Sequence, residues 1–202
     1  MPIERPQLPE LKDDGWSNNP IDVFILVKLR QAGLQPLARA SHAALVRRAY
    51  LDLTGLLPDY REVTADKQYE QLVDELLSSP RFGERQAQFW LDLARFAETD
   101  GFEHDKVRAD AWQYRDWVID AFNRNLPYDE FIRKQLAADE FDEDERIATM
   151  FCLSGPDMPD INSQHERRHS LLNEMTSTVG AVFMGLQVGC AQCHDHKFDP
   201  IS

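Results

Sequence analysis

Near the end of the chain stands Cys190-Ala191-Gln192-Cys193-His194. Two thiols three positions apart, followed at once by an imidazole, form the attachment motif of a c-type haem. The spacing has a chemical reason. Each thiol can form a thioether to one vinyl group of the same haem, and His194 is then carried under the porphyrin with Nε2 toward the iron. On this reading Cys190, Cys193 and His194 bind one covalent haem c, and His194 is its proximal iron ligand.

Other chemistries compete for the same residues. A redox dithiol needs a thioredoxin-like βαβ setting. A structural zinc would take Cys190, Cys193 and His196, with Cys152 or His194 as fourth ligand, although the usual second ligand pair, about 12–20 residues away, is missing. The segment Glu98-Thr99-Asp100-Gly101-Phe102-Glu103-His104-Asp105 gathers ionisable side chains around a glycine. It suits a calcium loop, or the carboxylates of a hydrolase or lyase acting on polysaccharides through Asp100 to Asp105, but it lacks EF-hand spacing. The acidic run Asp139 to Glu145 reads as a solvated face.

A haem also needs a wall, a second axial position and partners for its propionates. Met175, Val179, Val182 and Phe183, with Trp90, Trp112 or Trp117, are candidates for the wall, although ordinary core packing is the first reading of each one taken singly. Met175 is the candidate distal ligand, with Met184, His165, His169 and His104 behind it. His196 is too close in sequence to His194 to reach the opposite face of the iron, so a supporting role is expected of it. Lys197 and Arg115, with Arg95 and Arg108, are candidate propionate partners, because guanidinium forks match carboxylates.

Composition bounds the setting. The chain has 202 residues, 43% of them hydrophobic, and its three cysteines are too few for a disulfide framework. That length suits one domain with a core that needs no staples. The net charge of −13 argues against a nucleic-acid binder and against docking on an anionic membrane surface. No run of about 18 apolar residues offers a membrane span. Residues 1–15 carry no apolar stretch of the kind a signal peptide has.

The elements that must place the motif read as helices throughout. Residues 1–18, rich in proline, predict an extended linker, and residues 19–202 a helical domain. Helices are expected over 21–34, from Ser41 to about Thr54, over 66–77, 84–98 and 110–122, and from Pro127 to about Ala138. A short one is expected over 146–153, and a long one from about Ser163 to Met184. No alternating strand pattern of convincing length is present. The expected fold is all-α, seven or eight helices joined by short loops, with the haem motif after the last long helix.

Spread along the chain, a set of short motifs resembles one family. They begin with Asn19-Pro20-Ile21-Asp22, then Asp52-Leu53-Thr54-Gly55-Leu56 before Pro58. Ser79-Pro80-Arg81-Phe82-Gly83-Glu84-Arg85, Trp90-Leu91-Asp92 and Tyr114-Arg115-Asp116-Trp117 follow, then Pro127-Tyr128-Asp129. The last is Cys190 through His194 continued by Asp195-His196-Lys197-Phe198-Asp199-Pro200-Ile201. Together these are similar to the planctomycete cytochrome-c-like domain family of the second type, a family of unknown biochemical role. Gln86, Phe89 and Ala138 depart from its pattern. The resemblance implies a haem-binding domain of a large exported protein, periplasmic or in the cell envelope, working in electron transfer or haem-dependent redox chemistry beside neighbouring domains of the same polypeptide. The acidic surface would then favour a redox partner protein that is basic where it docks.

Overall fold

The structure is a computed structural model that describes residues 4–10, 15–101, 105–156 and 163–201. It divides into two compact units, Met1–Ala44 and Leu45–Ser202. Among the described residues there are nine α-helices, two 3₁₀ segments and no strand beyond a single bridge between Thr99 and Val107. The all-α expectation holds, with more and shorter elements than the seven or eight expected.

The first unit is built around helix α1, Pro20–Gln31. Asn19 and Asp22 form a reciprocal cap there. Asn19 Oδ1 accepts from the amides of Ile21 and Asp22 at 2.9 and 3.1 Å, and Asp22 Oδ2 accepts from the Asn19 amide at 3.2 Å. The Asn-Pro-Ile-Asp motif is therefore a helix start, with Pro20 in the turn that tolerates it.

In the second unit α2, His42–Thr54, which begins just inside the first, packs against α4, Tyr69–Leu77, through Val46, Ala49, Leu72 and Leu76. Between them lies α3, Tyr60–Thr64, a single turn capped by Asp59 and Glu62 that the hydrophobic periodicity did not announce. Helix α5 runs over Pro80–Leu93, earlier than the 84–98 expected. Ser79 and Pro80 end α4 and also start α5: the Ser79 hydroxyl accepts from the Arg81 amide at 3.3 Å and Pro80 fills the first turn. The later end fails because Arg95 takes up a left-handed backbone, φ 57°.

Helices α6, Ala111–Asn123, and α7, Tyr128–Phe141, supply most of the main core. After α7 the chain forms a 3₁₀ segment, Glu143–Thr149, then a one-turn helix α8, Met150–Leu153, where one short helix was expected. The long helix α9 runs over Gln164–Met184 behind its Ser163 cap and ends at Gly185, whose φ of 65° reverses the chain. Ala87, Trp90, Tyr114, Trp117, Val118, Phe131 and Phe151 form the buried centre, and Val179, Val182 and Phe183 of α9 close over it.

The wall candidates and the acidic run both find their places here. Val179, Val182, Phe183, Trp90 and Trp117 are core, each satisfied by protein neighbours, while Trp112 is 48% exposed. The acidic run after α7 is not wholly solvated either. Asp142 bonds Lys134 Nζ at 2.5 Å, and the Glu145 carboxylate receives Arg124, Lys134 and the Trp117 indole N–H. Among the described residues no helix is long and apolar enough to cross a membrane.

Candidate functional site

Past Gly185 the chain turns back on α9 and enters a 3₁₀ segment, Val188–Gln192. Two glycines let it approach. A Cβ on Gly180 would lie 2.5 Å from Val188 Cγ2, and one on Gly189 would strike the Ser177 hydroxyl. The face of α9 that carries Asn173, Ser177 and Gly180 is thus the bed on which the motif rests.

Cys190, Cys193 and His194 all project outward from this bed, and both thiols are free and exposed. His194 Nδ1 lies 2.9 Å from the carbonyl oxygen of Asp195. A carbonyl only accepts, so Nδ1 carries the hydrogen and Nε2 keeps its lone pair. That is the tautomer of a proximal ligand, and a backbone carbonyl on the other nitrogen is how such ligands are oriented.

His196 has the opposite arrangement. Its Nδ1 accepts from the backbone amides of Asp199, at 2.7 Å, and Phe198, at 3.2 Å. Its hydrogen therefore sits on Nε2, and neither nitrogen offers a lone pair to a metal beside the two thiols. Among the described residues no three His, Cys, Asp or Glu side chains converge as a metal cage requires. Cys152, the other zinc candidate, stands elsewhere: its thiol faces the Gln135 carbonyl at 3.8 Å, and burial pushes its pKa up.

The remaining candidates divide. Met175 lines a separate cleft with Asp100, Arg108, Cys152 and Glu174, so the structure does not bring it to His194. Met184 shares the face of α9 that carries the motif and is 65% exposed. His165 and His169 are exposed near the start of α9, and His104 lies outside the described residues. Three of the four propionate candidates are already engaged. Arg95 pairs with Glu174 at 2.5 Å, and Arg115 with Glu98 at 2.7 Å and Asp116 at 3.0 Å. Arg108 pairs with Asp100 at 2.7 Å and donates to the carbonyls of Ser154 and Gly155. Lys197 lies 5.2 Å over the Phe198 ring.

The Asp100 carboxylate is thus committed to holding Arg108, which in turn holds the chain after α8. This is a structural duty rather than that of a free acid or base. The loop's middle, Phe102 to His104, lies outside the described residues.

Beside the motif is a cleft of about 220 Å³ lined by Asn173, Thr176, Ser177, Val188 and Gln192 among others. Its lining is mixed, with Val188, Ala191 and Ile201 beside the polar side chains, and it is smaller than the few hundred Å³ of a pocket that encloses a drug-sized ligand. Asn173 Nδ2 is buried there without an acceptor. As a donor set the corner fits a c-type haem: two accessible thiols, an imidazole with its outer nitrogen available, and an orphaned donor suited to an anionic edge group. The apolar wall expected from α9 is absent from this fit, because those side chains are spent in the core.

The family model PSCyt2, described as Protein of unknown function (DUF1549), matches residues 20–202. The chain belongs to this family. No curated protein matches it, and no solved structure does. The PSCyt2 match begins at the first residue of α1 and takes in every helix and the whole cysteine motif.

Proposed function

We propose that this PSCyt2 domain carries one covalent haem c on Cys190, Cys193 and His194 and serves electron transfer or haem-dependent redox chemistry in an exported multidomain protein. The observation that carries the proposal is the His194 Nδ1 contact with the Asp195 carbonyl, which leaves Nε2 for iron. When bound, the haem supplies an iron that cycles between ferrous and ferric states. The residues do the rest. Cys190 and Cys193 would hold the haem as two thioethers, a linkage whose formation consumes no oxidant. The Asp195 carbonyl fixes the ring plane of His194. Asn173, whose buried Nδ2 lacks an acceptor, would be available to an anionic group of the haem. The acidic chain favours a redox partner with a basic docking surface and faster encounter at low salt. Covalent haem attachment, a reaction carried out beyond the cytoplasmic membrane, would go with a periplasmic or cell-envelope setting.

The test is intact mass and absorption of protein exported by a host that ligates haem c. The expected result is a mass gain of one haem and a Soret band that stays with the chain after acid-acetone extraction. A colourless product at the bare-chain mass, from a host that loads a control cytochrome, overturns the proposal.

A further inference from the structure

The segment after the motif is closed by a clip that nothing in the haem reading requires. His196 Nδ1 accepts the amides of Phe198 and Asp199, and the His196 amide donates to the Ile201 carbonyl at 2.9 Å. Asp199 Oδ2 reaches back to the Gln187 amide, at 3.4 Å, on the far side of the motif. The two ends of the segment that contains Cys190, Cys193 and His194 are thereby drawn together through one imidazole and one carboxylate. The His196 side chain is only 10% exposed, whereas His194 beside it is open. The Asp199 carboxylate also lies 3.5 Å from Nδ1, but two amide hydrogens already occupy that lone pair, so the contact is not an ion pair of a charged ring.

We infer that His196 is a positioning residue of the motif: its Nδ1, acting as an acceptor, holds the turn at 196–201 that fixes the Asp195 carbonyl against His194 and ties the motif to the end of α9. The inference rests on the proposed function for its consequence, but the clip itself belongs to the bare chain. An asparagine at 196 places an amide oxygen close to where Nδ1 stands and caps the same two N–H groups, as Asx turns do. Alanine supplies no acceptor.

Two measurements decide it. In a two-bond ¹H–¹⁵N correlation spectrum of the haem-free chain at alkaline pH, His196 is expected as the Nε2–H tautomer and His194 as Nδ1–H. A His196 ring in the Nδ1–H form overturns the inference. In the exporting host, His196→Ala is expected to lower the fraction of chain carrying covalent haem roughly tenfold, with unchanged helical circular dichroism, while His196→Asn loads like wild type. Equal loading of His196→Ala and wild type overturns it, and so does His196→Asn loading as poorly as His196→Ala. If wild type takes up no haem, the haem proposal fails and the tautomer spectrum still decides the clip.

Discussion

Glu145 offers the sharpest quantitative test of the fold. Its carboxylate receives two N–H bonds from the Arg124 fork at 2.8 Å each, the Trp117 indole N–H at 2.8 Å, and Lys134 Nζ at 3.2 Å. The side chain is 20% exposed, so solvent screens the pair only in part. The Arg124 hydrogen bonds lead in lowering its pKa, from the ordinary 4.5 to about 2. At about 1.4 kcal/mol per unit this is about 3 kcal/mol of stability held by the ionised form. The sign follows from the direction. A carboxyl whose folded pKa is depressed contributes fully above its unfolded value, and the contribution fades as pH falls from about 4.5 toward 2. Glu145→Gln keeps the shape and removes the charge. At neutral pH it is expected to cost about 3 kcal/mol, which for a chain of this size is roughly 6–12 °C in Tm. Urea unfolding of both proteins across an acid series is the assay. The difference between them should be flat above pH about 5 and shrink steadily below pH 4.5. A difference that stays constant down to the acid end, or one under about 1 kcal/mol at neutral pH, refutes the reasoning.

Two further substitutions probe the core. Gly83→Ala sets the gain in helix propensity, about 1 kcal/mol, against a Cβ only 2.5 Å from the Ile119 carbonyl and from Asn123 Nδ2. The carbonyl is backbone and cannot swing away, so a net loss of about 1–2 kcal/mol is expected in urea unfolding; a stabilised variant would show that α5 and α6 are not this close. Gln135 is fully buried, and its Oε1 accepts from Trp90 Nε1 and from the Tyr114 hydroxyl, both at 2.7 Å. Gln135→Leu leaves Trp90 a fallback in the Tyr114 oxygen, already 3.3 Å away, but leaves the Tyr114 hydroxyl without its acceptor. The expected cost is about 1–3 kcal/mol with altered tryptophan emission, and a neutral substitution would mean the triad is not dry.

Much of the helical framework was readable because it rests on local rules. Ser163 before a long periodic stretch gave α9, and the Tyr114, Trp117, Val118 and Ala121 stripe gave the buried face of α6. Ser79-Pro80 misled by reading equally well as a stop and as a start. The short α3 escaped because one turn is too brief for periodicity, although its signal, Asp59 three residues before Glu62, was present. Glu145 was not legible as a half-buried, multiply bonded anion, because Trp117 and Arg124 come from 28 and 21 residues away. At the candidate site the sequence supplied the donor atoms but not their orientation. Gly180 and Gly189 are where helix and motif touch in the fold, which their place in the sequence does not announce. The opposite duties of His194 and His196 depend on which backbone groups face each ring, and composition carries no trace of that.

The closed state of the core bears on how such a domain would hold a cofactor. Trp90 meets Phe131 edge-on at 4.7 Å and lies 5.9 Å from Phe183, and Phe151 is 4.9 Å from Phe183. Trp117 stacks on Phe131 at 5.5 Å and on Tyr114 at 6.3 Å. Each of these rings has protein partners, and the cavity beside Trp90 and Phe131, about 280 Å³ lined by Phe82, Phe122, Leu126 and Tyr128 among others, is smaller than a macrocycle needs. A haem added to such a body would sit against an outer surface, where burial alone contributes little to holding it. Two thioethers and an oriented imidazole answer that need directly, since a covalent bond retains a group that a shallow site would release. An outward motif pinned to a finished helix by two glycines is therefore consistent with haem chemistry, whereas a structural zinc, whose ligands fold inward around the ion, would require the thiols and His196 to turn toward one another.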